Sequence, residues 1–413
     1  MHSQTALVLT LLVLCYAVVS GVVKRWYLAP ALIFVLFGMA LGPFGLGVID
    51  ATPDTAIYTV IAQLALAVIL FNQAVELDLS AVLRRREVTF RLLVIGIPLA
   101  IALGVVTVVL VLPVMPLWEA VCLAAIVAPT EVALIDALLE NKRIPERVRH
   151  AMSTESGFYD GFALAAVLAA LALASDHADP NAGRWELFLV RTELVSSVVG
   201  LVIGAVGGLV IARSRKREDM SDTWAQLATL AVALVCFQIA ERFHGSGFVA
   251  AFAGGLAFAF ASRRAGVAPD AKVSDAAGQL LELMVFAMFG GYAVIVGWRD
   301  AGWRVVVFSV VALLGVRLVA VLVALIRSDL PMNNRLFIGW FGPRGIGTLV
   351  LALLVVSHGE LQQEPLILQV VAVTVTLSLV VHSLTTWPGI RWLADSERGA
   401  TEQPAATQGQ SPP

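Results

Sequence analysis

Thr154-Glu155-Ser156-Gly157-Phe158-Tyr159-Asp160-Gly161 opens directly into residues 162–174, a run with no polar side chain. With its flanks that run is long enough to cross a bilayer. An unpaired charge at the bilayer centre costs about 3 kcal/mol on insertion scales, so a chain that keeps Glu155 and Asp160 here has a use for them. On a helix Ser156 and Asp160 are four apart and share a face, as do Glu155 and Tyr159. A hydroxyl one turn from a carboxylate is half of an oxygen-ligand site for a hard monovalent cation or a proton.

The composition around that stretch sets the class. Of 413 residues 59% are hydrophobic and only 14% charged, where soluble domains carry about a quarter charged. The chain therefore reads as an all-α polytopic membrane protein. Cys15, Cys122 and Cys236 sit far apart in apolar runs, with neither metal spacing nor a disulfide framework. No cofactor is called for.

Apolar runs of spanning length lie at about 5–23, 28–48, 56–77, 89–112, 117–139, 153–174, 187–212, 224–241, 246–261, 275–297, 303–326, 334–357 and 366–387, thirteen in all. With the N-terminus outside, the loops expected in the cytoplasm hold Lys24-Arg25, Arg84-Arg85-Arg86, Lys142-Arg143 with Arg147 and Arg149, residues 213–217, Arg263-Arg264 and Arg327. The alternate loops are nearly free of basic residues apart from Arg184, Arg242, Arg299 and Arg304. This is the positive-inside pattern. It predicts thirteen crossings in the cell (inner) membrane with the C-terminus cytoplasmic. It also makes the basic loops topology signals, with no reason to invoke nucleic acid. Residues 1–393 form the membrane domain and 394–413 a short disordered tail.

Thirteen crossings allow two six-span halves of opposite orientation joined by one extra span, an inverted-repeat transporter plan. Two spans carry helix breakers at corresponding places: Ala128-Pro129-Thr130-Glu131 in the fifth and Gly342-Pro343-Arg344-Gly345-Ile346-Gly347 in the twelfth. Pro and Gly free backbone carbonyls that can ligate ions. The deep ionisable groups are Glu131, Glu155, Asp160, Arg317 and Arg344, with Asp136 near the inner end and Glu282 facing an aqueous funnel or, on the simpler reading, an edge residue at the cytoplasmic side. Three deep acids against two arginines leave one carboxylate to be neutralised by a proton or by a metal cation, one at a time.

On these residues the chain resembles the NhaP/NHE-type monovalent cation:proton antiporter family. Residues 153–161 resemble its sixth-span E-S-x-x-N-D-G signature, and Ala128-Pro129-Thr130-Glu131 its broken-helix A-P-T-D-P. Phe341-Gly342-Pro343-Arg344-Gly345 resembles the F-x-x-x-R-G segment of the twelfth span, and Arg317 the buried arginine of the eleventh. The end of the third span, Leu70-Phe71 through Glu76-Leu77, is also similar. The chain departs from the pattern in Tyr159 for the usual Asn, Glu131 for Asp, Val132 for the next Pro, and Asn72-Gln73 where many members carry a carboxylate.

The resemblance implies that Asp160 carries the ion and the proton, with Ser156 and the backbone at Thr130 completing the oxygen cage. Glu155 would pair with Arg317, and Glu131 would lie close to Arg344 at the helix crossing. Tyr159 and Asn72 would modulate the site. A core bundle of about 89–174 and 303–387 would slide against a scaffold and dimer part of about 5–77 and 187–297, in a homodimer. The cargo would be a monovalent cation, sodium or potassium, exchanged for a proton, and with a single carrier acid the exchange is expected to move no net charge. Two other readings stand beside it. One is a sensor of the same fold that binds ions without moving them. The other is an intramembrane aspartyl protease, for which Tyr159-Asp160 supplies half of the signature but the second half, Gly-x-Gly-Asp, is absent.

Overall fold

The computed structural model describes residues 2–48, 56–77, 88–131, 134, 136–139, 141–178, 185–243, 245–358 and 361–402. Among them every regular element is helical, as hydrocarbon demands of a chain whose backbone groups have no water to bond. In order these are α1 (His2–Arg25), α2 (Pro30–Leu41), α3 (Ala56–Glu76), α4 (Val88–Val111), α5 (Leu117–Val127), α6 (Asp136–Leu139), α7 (Glu146–Ala178) and α8 (Trp185–Lys216). Then follow α9 (Asp222–Arg242), α10 (Gly247–Arg264), α11 (Lys272–Arg299, interrupted at Tyr292), α12 (Trp303–Ala324), α13 (Met332–Trp340), α14 (Ile346–His358) and α15 (Glu364–Glu402).

Every apolar run read from the sequence carries one of these helices. Among the described residues seven helices are long and apolar enough to cross a membrane, and Pro30–Leu41, Val60–Glu76, Leu117–Val127 and Ile346–Val356 are shorter apolar helices. Two of the short ones, α5 and α14, are short because their spans are broken. Residues 84–86 and Arg184 lie outside the described residues. The expected irregular tail is corrected at its start. Helix α15 runs on through Ala394 to Glu402, because Asp395, Glu397 and Arg398 are ordinary helix residues and the first proline after Pro388 is Pro404. Residues 403–413 lie outside the described residues.

The helices pack as two groups. Helices α2, α3 and α8 to α11 contact one another, and α4, α5, α7 and α12 to α15 do the same. In the first group α8 packs closely on α10. A Cβ at Gly200, Gly204 or Gly208 would collide with the backbone of Ala250, Gly254 or Phe258 respectively. Spacing of four puts these glycines on one stripe, and small residues there let two backbones touch, which is how helices associate where lipid removes the hydrophobic drive. The opposite face of α8 exposes Leu201, Val202, Val206 and Val210, an apolar face suited to lipid.

In the second group two helices are interrupted. Helix α5 ends at Val127 and the chain runs non-helically through Glu131; α13 ends at Trp340 and α14 starts only at Ile346. The breaks fall in the fifth and twelfth apolar runs, and wide π-helical turns, Leu92–Gly96 in α4 and Val311–Val316 in α12, fall in the fourth and eleventh. Both kinds of irregularity thus recur seven runs apart, as an inverted repeat requires.

The α8–α10 contact generates a test. Gly204→Val should lower the midpoint of thermal unfolding in detergent, since overpacking a tight contact costs about 1–3 kcal/mol. Val202→Leu, on the exposed face, should leave it unchanged.

Candidate functional site

The two breaks meet. Glu131 N donates to Pro343 O at 2.8 Å, so each unwound stretch supplies a backbone partner that the other lost when its helix stopped. Next to that bridge the Ser156 hydroxyl of α7 donates to Thr130 O, a short bond between buried groups. Three elements of the chain, remote in sequence, therefore converge on residues 130–131.

The glycines of Gly342-Pro343-Arg344-Gly345 make room for two charged side chains. A Cβ at Gly342 would strike the Arg317 guanidinium, and one at Gly345 would sit 2.5 Å from Glu131 Cγ. Arg317, 3% exposed, grips Glu155, 2% exposed, in a two-pronged pair: Nη1 to Oε1 at 2.9 Å and Nη2 to Oε2 at 3.1 Å. Its Nη2 also donates to Ile338 O at 3.2 Å. Arg317 follows directly on the π-helical turn of α12, and such a turn shifts the facing of what comes after it. The fork geometry of Arg suits a carboxylate in both distance and plane.

Glu131 is buried at the crossing, and its Oε2 lies 3.5 Å from Gly347 N in the first turn of α14. A helix N-terminus offers free N–H groups and a positive dipole end to a carboxylate. The Glu131 backbone bonds Pro343 and its side chain lies against Gly345, the residues on either side of Arg344. The Arg344 guanidinium turns back on its own loop, Nη1 donating to Gly342 O. Among the described residues Arg344 joins no ion pair. Its backbone N–H donates to the Ser378 hydroxyl of α15 at 2.7 Å.

Tyr159, 1% exposed, is packed among Leu93, Ile97, Ala128, Val316 and Ala320, within electrostatic reach of Arg344, Arg317 and Glu155. Asn72 is buried on α3 and its Oδ1 accepts from Ser274 Oγ of α11 at 2.7 Å. It lines a cavity of about 600 Å³ that also touches Gln73, Glu76, Asp275, Glu282 and Glu131. The cavity runs from the end of the bundle that holds Lys24 to the crossing of the broken helices. Glu282, read above as facing a funnel or the edge, is buried and lines this cavity. Val132 and the side chains of Asp136 and Asp160 lie outside the described residues; the backbone of Asp160 is in α7, one turn beyond Ser156.

Gly157 and Gly161 are packing positions. A Cβ there would meet Leu77 Cδ2 at 3.3 Å and Phe252 Cε1 at 3.5 Å. One buried acid escaped the sequence reading: Glu119 of α5 accepts from Gln362 N at 2.8 Å and Gln363 N at 2.9 Å, capping the approach to α15. An acid in the first turn of an apolar helix was its only signal.

The Glu155–Arg317 pair has a measurable consequence. Glu155→Ala or Arg317→Ala alone strands a buried charge and should cost about 3–5 kcal/mol, read as loss of folded protein by size exclusion and a lower unfolding midpoint. The double change Glu155→Leu with Arg317→Leu removes both charges and should recover much of that midpoint.

With this geometry in hand, likeness to other proteins becomes informative. Residues 8–392 match the family model described as "Sodium/hydrogen exchanger, transmembrane". The K(+)/H(+) antiporter NhaP of Alkalimonas amylolytica is 27% identical over 398 residues, covering 94% of this chain and 67% of that protein. A probable Na(+)/H(+) antiporter of Schizosaccharomyces pombe is 25% identical over 374 residues, covering 86% of this chain and 48% of that protein. The chain thus spans between about half and two thirds of the length of these curated relatives. The solved structure of the sodium proton antiporter MjNhaP1 from Methanocaldococcus jannaschii overlays with a TM-score of 0.75 at 18% identity, over 92% of this chain and 99% of that one. Its fold and that of the present chain are the same. A family match across nearly the entire length, on an all-helical fold with two crossed broken helices, leaves one assignment: this multi-pass membrane protein belongs to the transmembrane sodium/hydrogen exchanger family.

Proposed function

We propose that this chain exchanges a monovalent cation, sodium or potassium, for protons across the cell membrane, and that Asp160 carries the two in turn. The observation that carries this reading is the seat of Ser156 on Thr130 O, one helical turn from Asp160 and beside the Glu131–Pro343 bridge. A carboxylate next to a hydroxyl and a carbonyl freed by a helix break is an oxygen cage for a hard cation. The same carboxylate accepts a proton when the cation leaves. With Glu155 committed to Arg317 and Glu131 turned to the start of α14, a single carrier acid remains. One proton then trades for one monovalent cation, and transport moves no net charge.

The cavity that ends at Glu131 supplies a water path to the crossing from the end of the bundle where Lys24-Arg25 stands, the cytoplasmic end on the positive-inside reading. Access from the other side follows when the core bundle, about 89–174 and 303–387, slides against the scaffold. The working unit is a homodimer of chains with thirteen crossings, the N-terminus outside and the C-terminus in the cytoplasm. The relatives named above divide between potassium and sodium. Tyr159, within electrostatic reach of Arg344 and Arg317 and standing in place of an amide, bears on that choice. A sensor that binds the cation without moving it is the second reading.

Reconstitution in proteoliposomes with a pH-reporting dye decides between them. The expected result is proton flux driven by a sodium or potassium gradient, at a rate unchanged by an imposed membrane voltage. Apparent cation affinity should weaken as pH falls, because proton and cation compete for one group. Asp160→Asn should abolish flux in a protein that still elutes as a folded dimer. Ser156→Ala should raise the KM for the cation about tenfold, the loss of one hydrogen-bonding oxygen. Voltage-dependent flux would refute the one-to-one exchange, and cation binding without flux would favour the sensor.

A further inference from the structure

In an unbroken helix Arg344 N–H would bond to Trp340 O, four residues back. The interruption between α13 and α14 severs that bond, and α15 places two side chains between the separated groups. Arg344 N donates to Ser378 Oγ at 2.7 Å, Ser378 Oγ lies 3.2 Å from His382 Nδ1, and His382 Nε2 lies 3.1 Å from Trp340 O. Both side chains are buried, at 0% and 1% exposure. They stand four apart on one face of α15, where Thr374 and Thr386, both buried, continue the same polar stripe.

The ring stands between two backbone carbonyls, Trp340 O at 3.1 Å from Nε2 and Ser378 O at 2.9 Å from Nδ1. A carbonyl only accepts, so the neutral ring donates to one or the other according to its tautomer. Ser378 Oγ, which accepts from Arg344 N–H, lies beside Nδ1 at 3.2 Å. Trp340 O takes a second bond from Gly342 N at 3.0 Å, within the capacity of a carbonyl. Trp340 Nε1 adds a further tie to α15 through Thr385 Oγ1 at 3.1 Å.

We propose that Ser378 and His382 are positioning residues for the exchange site, standing in for one of the helical hydrogen bonds that the break removes, that of Arg344 N–H to Trp340 O, and thereby holding residues 341–345 in their unwound path. That path puts Pro343 O on Glu131 N, and the next residue back is Thr130, whose carbonyl takes Ser156. The bridge thus reaches the cage through backbone alone, with no contact to the cargo. Its transport consequence rests on the exchange reading above; the bridge itself does not.

Two measurements on the full-length protein test it. In proteoliposomes, Ser378→Ala and His382→Ala should each raise the KM for sodium or potassium about tenfold, as loss of one buried hydrogen bond allows. The maximal rate per folded protein should fall less, and Ser378→Thr should restore KM to near the native value. Hydrogen–deuterium exchange should show the Arg344 amide protected in the native chain and exchanging about tenfold faster in Ser378→Ala, since opening of a local bond sets that rate. An unchanged KM with loss confined to maximal rate, or an Arg344 amide unaffected by Ser378→Ala, overturns the proposal. A native chain that transports no cation counts against the exchange reading, and the amide measurement then still decides the bridge. If His382→Ala does not fold, Ser378→Ala and Ser378→Thr carry both measurements.

Discussion

A helix that stops inside hydrocarbon leaves N–H and C=O groups with no water to bond, each at a cost of several kcal/mol. This chain interrupts two helices at the same depth and lets them answer one another. Glu131 N meets Pro343 O, Ser156 meets Thr130 O, and Ser378 meets Arg344 N. The demand of the backbone for partners therefore dictates which helices must cross, and where α7 and α15 must pass. A site rich in oriented oxygen atoms is a by-product of that demand.

The buried ion pair follows from the same geometry. Two charges removed from water are repaid only when contact is close and every donor is engaged. Glu155 and Arg317 meet the first condition through two bonds of 2.9 and 3.1 Å, and Ile338 O absorbs a further donor. Arg317 Nε is left without a partner, so the pair does not fully offset its own desolvation. Its value is better sought in orientation: it pins α7 to α12, so that the next residue, Ser156, must face the break. Glu131 is handled in a different way, by the free N–H groups of a helix start rather than by a second guanidinium.

Much of this could be read from the sequence, for identifiable reasons. Prolines and glycines at 128–131 and 342–347 announce broken helices because they remove or weaken the bonds that make one. Glu155 and Arg317 stand out because ionisable groups are rare in apolar spans. What escaped is what depends on tertiary direction. The Arg344 guanidinium folds onto Gly342 O, a choice that no residue pattern encodes. For Glu282 the sequence left a choice between an aqueous funnel and the cytoplasmic edge, and it is the packing of α3 against α11 that encloses it beside the cavity. The π-helical turns before Ile97 and Arg317 consist of ordinary aliphatic residues. Ser378 and His382 did leave a trace, a polar residue at every fourth place from Thr374 to Thr386, but its meaning needs the break that it faces.

The two helix groups also differ in how they touch, and this bears on motion. Inside the first group, contact is backbone on backbone: Gly200, Gly204 and Gly208 against α10, and Gly290 against the Val35 carbonyl. Surfaces that interlock at that level cannot shift without steric collision. Between the groups contact runs through side chains: Leu77 and Phe252 lie 3.3 and 3.5 Å from Cβ positions at Gly157 and Gly161 of α7, and Ala372 Cβ of α15 lies only 2.5 Å from one at Gly297 of α11. At the end that holds Tyr27, a ring stacked on Trp387 at 4.9 Å and a bond from Asn141 Nδ2 at 3.2 Å join the groups, contacts that are exchangeable with water at a membrane edge. Contact within the first group is thus backbone on backbone and contact between the groups side chain on side chain, while the two breaks at 128–131 and 341–345 belong wholly to the second group.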